Sequence, residues 1–237
     1  MNRLAMLAAV ALLALVAMVA FSPSSRVHEA ALAPIADMEE ADADAAPDSA
    51  APAVHDPSPA AGCEAELEAL GVQFEVMEPI AGEEGCGAER PLRVSSVGVA
   101  LEPAVTTRCE VARALALWTK EVMAPSARLH LGAAPSAIST GDSYQCRARR
   151  GDGEVKLSEH AHANAVDIAG IAFPDRETVR IIERPGSADD ARAFQAAIRG
   201  GACAYFTTVL GPGSNAAHAD HLHLDMIRRD GGYRICE

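Results

Sequence analysis

Six cysteines constrain what this chain can fold into more than any other feature. Cys63, Cys86, Cys109, Cys146, Cys203 and Cys236 all lie beyond residue 62 of a 237-residue chain. They form an even set behind an apolar N-terminus, and none belongs to a Cys-x-x-Cys pair. Such a set predicts three structural disulfides made in an oxidising compartment, with no free thiol and no thiolate metal site. The sequence does not choose among the possible pairings. Cys63 and Cys236 bracket the segment predicted to fold as one disulfide-stabilised domain, residues 63–237.

What precedes that domain reads differently. Met1 to Phe21 carries one charge, Arg3, before a Leu/Ala/Val run that stops at Ser22-Pro23. Residues 1–26 are therefore expected to be a secretory signal or, if retained, a membrane anchor. From Val27 to Gly62 there are thirteen alanines, five prolines and eight acidic residues, with no Lys or Arg. So little bulky apolar surface cannot offset the entropy of ordering, so 27–62 is expected to be a linker. The linker supplies much of the net charge of -13. That sign argues against a nucleic-acid partner, which requires a basic face. An exported protein of the periplasm or cell envelope is expected.

Within the domain, Val111, Leu115, Trp118 and Val122 recur at helical spacing and predict a helix over Arg108–Met123, closed by Pro125, with Trp118 in the core. A second helix is expected over Ser187–Arg199, capped by Ser187 and stopped by Gly200-Gly201. Strands are expected at Val72–Met77, Leu92–Leu101, Arg128–Leu131, Ala165–Phe173, Thr178–Ile182 and His221–Ile227. Strands and helices do not alternate regularly. The expected class is α+β, a largely antiparallel sheet with flanking helices.

Two short windows carry the chemistry. Five of the eight histidines fall in Ser158–Asp167 and His218–His223, each window with its own aspartate. Residues two apart share a strand face. His221, His223 and Asp225 therefore line one face of the last strand, and Leu222, Leu224 and Met226 the other. In the earlier strand Asp167 shares a face with the small residues Ala165 and Ala169, opposite Val166 and Ile168. His160 lies ahead of that strand, on a loop able to fold over the same face. Imidazoles with a carboxylate suit zinc, and a catalytic zinc keeps three protein ligands and one open position.

Ser-x-His-x-x-x-x-Ala-x-Asp followed by a distant His-x-His resembles the zinc peptidases of the lysostaphin, D-alanyl-D-alanine metallopeptidase and hedgehog group. The cysteine-bearing frame is similar to the extensin-like C-terminal domain of bacterial envelope proteins. Its marks are Tyr144-x-Cys146-Arg147, Leu157-Ser158-Glu159-His160-Ala161, Val166-Asp167-Ile168, Val209-Leu210-Gly211-Pro212-Gly213 and His218-x-Asp220-His221-x-His223-x-Asp225. The resemblance implies a zinc-peptidase-like fold with His160, Asp167 and His223 as the ligands of one zinc ion. It implies Asp220 as general base, His221 and His218 as catalytic partners, and Arg147 as the holder of a substrate carboxylate. Ser158 and Asp225 would orient the ligands. Two departures stand out: Ala163 where those peptidases usually carry glycine, and Asp rather than Glu at the base position.

The expected function is that of an envelope zinc peptidase or amidase acting on peptidoglycan peptides. Its rival is a non-catalytic cell-wall-binding module on the same scaffold, since hedgehog-type relatives show that the scaffold does not guarantee hydrolysis.

Overall fold

In the computed structural model, which describes residues 59–149, 156–186 and 189–237, the two histidine windows meet on adjacent strands of one sheet. The expectations for residues 1–26, for most of the 27–62 linker and for the Ser187 cap lie outside the described residues. The elements run α1 (Pro59–Ala69), β1 (Gln73–Val76), β2 (Ile80–Ala81), β3 (Gly87–Ala88), β4 (Leu92–Ser96), β5 (Ala100–Thr107) and α2 (Cys109–Trp118). A π turn (Thr119–Met123) leads to α3 (Ala124–Leu131), β6 (Ala137–Thr140), β7 (Ala165–Phe173), β8 (Arg176–Arg180) and α4 (Asp190–Ala202). The chain closes with β9 (Thr208–Leu210), β10 (Leu222–Asp225) and β11 (Ile235–Cys236).

The main sheet has the order β1-β4-β5-β6-β7-β10-β9-β11, with β8 also paired to β7. Only the β5–β6 and β9–β11 pairs are parallel. This is the α+β, mostly antiparallel architecture expected of irregularly alternating elements. At its centre β7 pairs with β6, while β10 and β8 take successive halves of its other edge. Val166, Ile168, Leu222 and Leu224 are fully buried and join Leu115, Trp118, Phe194 and Ile198 from the helices in one apolar core. Trp118 lies within it, and its indole N–H, costly to bury unpaired, donates to the Ile198 carbonyl at 2.9 Å.

Several boundaries depart from the sequence expectations, each for a local reason. The strand expected over Leu92–Leu101 is two strands. Gly98, at φ +90°, turns the chain between β4 and β5, a conformation that L side chains avoid. Pro103 lies within β5. It sits where the β4–β5 register shifts, so its missing N–H breaks no ladder bond. Arg128–Leu131 is helix, not strand. The π turn widens the backbone after Trp118, and Pro125 falls in the first turn of α3, where no N–H is required. Gly200 and Gly201 lie inside α4 rather than beyond it. A Cβ on Gly201 would come within 2.4 Å of Val122, so this glycine serves the close approach of α4 to the π turn. Asp189 caps α4, its side chain accepting from the Arg192 N–H at 2.6 Å.

All six cysteines are bonded, as Cys63–Cys109, Cys86–Cys146 and Cys203–Cys236, with Cα separations of 6.2, 5.6 and 6.1 Å. The first ties α1 to the start of α2, and the third ties the end of α4 to β11. The second anchors β2–β3 to the segment after β6, which borders the histidine cluster. Among the described residues no helix is long and apolar enough to cross a membrane.

Candidate metal centre

Sheet register delivers the first two candidate ligands. In the β7–β10 pair His223 stands directly opposite Asp167, and strand alternation turns both away from the leucine and isoleucine face. The third, His160, comes from a 3-10 turn, Glu159–His162, just ahead of β7. Ser158 caps that turn by accepting from the His160 N–H at 3.4 Å. Asn164 donates to Glu159 Oε2 at 2.6 Å and closes it from the other end.

The three donor atoms form a near-equilateral triangle. His160 Nε2 is 3.2 Å from His223 Nδ1 and 3.3 Å from Asp167 Oδ1, and His223 Nδ1 is 3.0 Å from the same oxygen. Ligand bonds of about 2.0–2.2 Å in a tetrahedron leave neighbouring donors about 3.3 Å apart. Partners behind each imidazole set its tautomer. His160 Nδ1 lies 2.7 Å from the Ser143 carbonyl, which can only accept, so Nε2 of the neutral ring keeps its lone pair. His223 Nε2 lies 3.1 Å from Asp225 Oδ2, leaving Nδ1 as that ring's ligand atom. His160 and Asp167 are buried and His223 nearly so. Donor types, spacing and orientation all fit zinc.

The electrostatics are those of a coupled buried cluster. Burial opposes ionisation of Asp167, but its contacts with His160 and His223 outweigh it and hold the carboxyl far below the ordinary range. Asp225 follows the same pattern: burial raises its pKa, while hydrogen bonds from His223 and Thr208 lower it further. Burial likewise disfavours a proton on His223, yet its contacts with the two carboxylates prevail and lift it to about 9. His223 is thus protonated more readily in the folded metal-free chain than in the unfolded one. Its stabilising contribution is complete below about pH 6.5 and is lost as pH rises through about 9. The metal-free protein should accordingly melt at a lower temperature above that window than below it, as followed by circular dichroism in chelator. A melting temperature that rises across the window would refute this sign.

Around the triangle lies a cleft of about 890 Å³, lined among others by Arg147, Ser158, His218, Asp220 and His221. Asp220 is not among the three converging donors. Its exposed carboxylate holds His221 Nδ1 at 2.9 Å, and His221 Nε2 lies 3.8 Å from Asp167 Oδ2. His218 meets His221 and His223 with tilted rings, centroids 5.3 and 5.6 Å away. Burial, then the neighbouring His223 and His221, push it down to about 4. Arg147 is held by Gln145 Oε1 at 2.7 Å and lies 3.8 Å from Asp142. All the residues proposed from the sequence therefore gather at one cleft, although only three meet as ligand atoms. Sequence reasoning missed Ser143 and Asn215. Ser143 acts through a backbone carbonyl, which no side-chain pattern reveals. Asn215 begins the short helical turn Ala216–His218, and an Asn ahead of such a turn is a readable cap.

Ala163 is fully buried at φ +50°. Its carbonyl accepts from the Arg108 N–H at 2.8 Å and the Thr107 hydroxyl at 3.0 Å, which locks the left-handed turn. Ala163→Gly should be nearly neutral, because relief of about 1 kcal/mol of backbone strain offsets a similar loss of burial and chain stiffness. Ala163→Val should cost roughly 2–3 kcal/mol, since a β-branched residue suits neither that φ nor the space. Denaturant melts of both variants check this, and a valine variant as stable as wild type would refute it.

Fold and cleft together define an α+β, disulfide-bonded domain with a buried His/Asp/His cluster opening on a polar cleft. The model of the family described as Extensin-like protein C-terminus matches residues 61–237, and the chain belongs to that family. No curated protein and no solved structure matches it.

Proposed function

We propose that the domain is a zinc-dependent hydrolase of peptide bonds in peptidoglycan, exported to the bacterial cell envelope. The observation that carries this reading is the triangle of His160 Nε2, Asp167 Oδ1 and His223 Nδ1, with the opposite nitrogen of each imidazole taken up by the Ser143 carbonyl or the Asp225 carboxylate. The likeness of the motif to the lysostaphin and D-alanyl-D-alanine metallopeptidase group supports the choice of bond and substrate. Zinc held there supplies a Lewis acid that polarises a carbonyl and lowers the pKa of water toward about 7.

The chain's own residues divide the remaining work. His221 Nε2, beside Asp167 Oδ2, is placed to take a proton from an attacking water. Asp220 behind it stabilises the imidazolium that forms, as a carboxylate partner does for a histidine base. The base role is here assigned to His221 rather than to Asp220, the residue the sequence pattern offers for it, since the exposed Asp220 carboxylate lies against His221 Nδ1. Arg147, on the cleft wall, is suited to pair with a substrate carboxylate through its planar fork.

The test uses the full chain purified from an oxidising compartment. Elemental analysis should find about one zinc per chain, and mass spectrometry of digested muropeptides should find new peptide ends. Full zinc with no muropeptide cleaved would favour the cell-wall-binding module on the same scaffold.

A further inference from the structure

Asn215 is the residue on the cleft wall whose contacts assign chemistry to a neighbour. Its Oδ1 meets two groups: the Ala217 backbone N–H at 3.0 Å and His218 Nδ1 at 2.8 Å. The first contact identifies the atom. A backbone N–H can only donate, so the amide atom facing it is the oxygen. The second then identifies the tautomer. Nδ1 of His218 must carry a hydrogen, and Nε2 of the neutral ring is the nitrogen with the free lone pair. His221 is held at the same ring position, but by the Asp220 carboxylate. A carboxylate behind an imidazole favours a second proton on the ring, whereas a neutral amide does not. Two adjacent histidines are thus prepared for different tasks.

We propose that Asn215 is a positioning residue that fixes His218 as a hydrogen-bond acceptor, and that the group His218 accepts in the cleft is an N–H of a peptide substrate. The identity of the substrate rests on the hydrolase reading, while the tautomer stands on the two contacts alone. Among peptide groups the N–H is the donor that a neutral Nε2 can receive. An ester in the same place has none, so the cleft would select amide over ester linkages.

The tautomer is read directly from long-range proton–nitrogen correlations of the full chain carrying isotope-labelled histidine. His218 is expected with its hydrogen on Nδ1 and its lone pair on Nε2 in wild type. Asn215→Ser keeps a capping oxygen on a shorter side chain, and His218 should then shift toward a mixture of tautomers with zinc content unchanged. The affinity for a peptidoglycan stem peptide should fall about three- to tenfold in Asn215→Ser, the range of one net hydrogen bond. A wild-type His218 with its hydrogen on Nε2 overturns the inference whatever the activity. Undiminished affinity in Asn215→Ser despite a changed tautomer, or no affinity of wild type for the stem peptide, overturns the assignment of the N–H. Wild-type protein that binds the stem peptide as predicted yet cleaves nothing overturns the hydrolase reading instead.

Discussion

Asp167→Ala is expected to bring zinc content from about one per chain to near zero and to abolish peptidoglycan cleavage with it. Asp167 Oδ1 is the vertex shared by both short contacts to the histidines, at 3.3 and 3.0 Å. Without it, two neutral imidazoles remain, with no anionic ligand to offset the ion's charge. The substitution should spare the fold. The backbone bonds of residue 167, from Gly141 N–H at 2.8 Å and to the Asp142 carbonyl at 2.9 Å, do not involve its side chain. Its neighbours on that face, Ala165 and Ala169, are already alanines. His160→Ala and His223→Ala should lose zinc as well. Elemental analysis alongside circular dichroism separates loss of metal from loss of fold. Unchanged stoichiometry in all three variants would remove the metal centre from these residues.

His221→Ala is expected to keep zinc and lose roughly 10²–10⁴-fold in turnover, the span of a well-placed general base. Asp220→Asn should lose far less, about tenfold. Its side chain is 74% exposed, so water screens the charge it presents to His221, and an amide oxygen can still accept from Nδ1. The comparison discriminates between two arrangements of the same residues. If Asp220→Asn falls as deeply as His221→Ala, the carboxylate itself takes the proton, as its spacing ahead of His223 implies. If both variants turn over normally while zinc stays bound, neither residue is the base. Zinc content of each variant has to be measured in the same preparation, since His221 lies 3.8 Å from Asp167.

Much of this centre was legible in one dimension because strands alternate. Apolar Val166, Ile168, Leu222 and Leu224 specify which face of β7 and β10 turns inward, and Asp167 and His223 are then forced to the other. The helical segments were less legible at their ends. A π turn and a proline in the first turn of α3 carried helix across Pro125, and packing against Val122 kept Gly201 inside α4. Local propensity is a weak guide where a tertiary contact rewards the exception.

By itself the sequence determined the types of donor, the faces on which they stand, the even and fully paired cysteine set, and the α+β class. These follow from periodicity and composition, which act over a few residues. Only the tertiary structure decided that His223 pairs with Asp167 in register, that Cys86 bonds Cys146, and that Asp220 stands behind His221. It also decided which nitrogen of each histidine is free, through a carbonyl at Ser143, a carboxylate at Asp225 and an amide at Asn215. The physical reason is that a tautomer is set by the single group behind the ring. For His160 that group is a backbone atom seventeen residues away, and no side-chain pattern records where a backbone carbonyl will point.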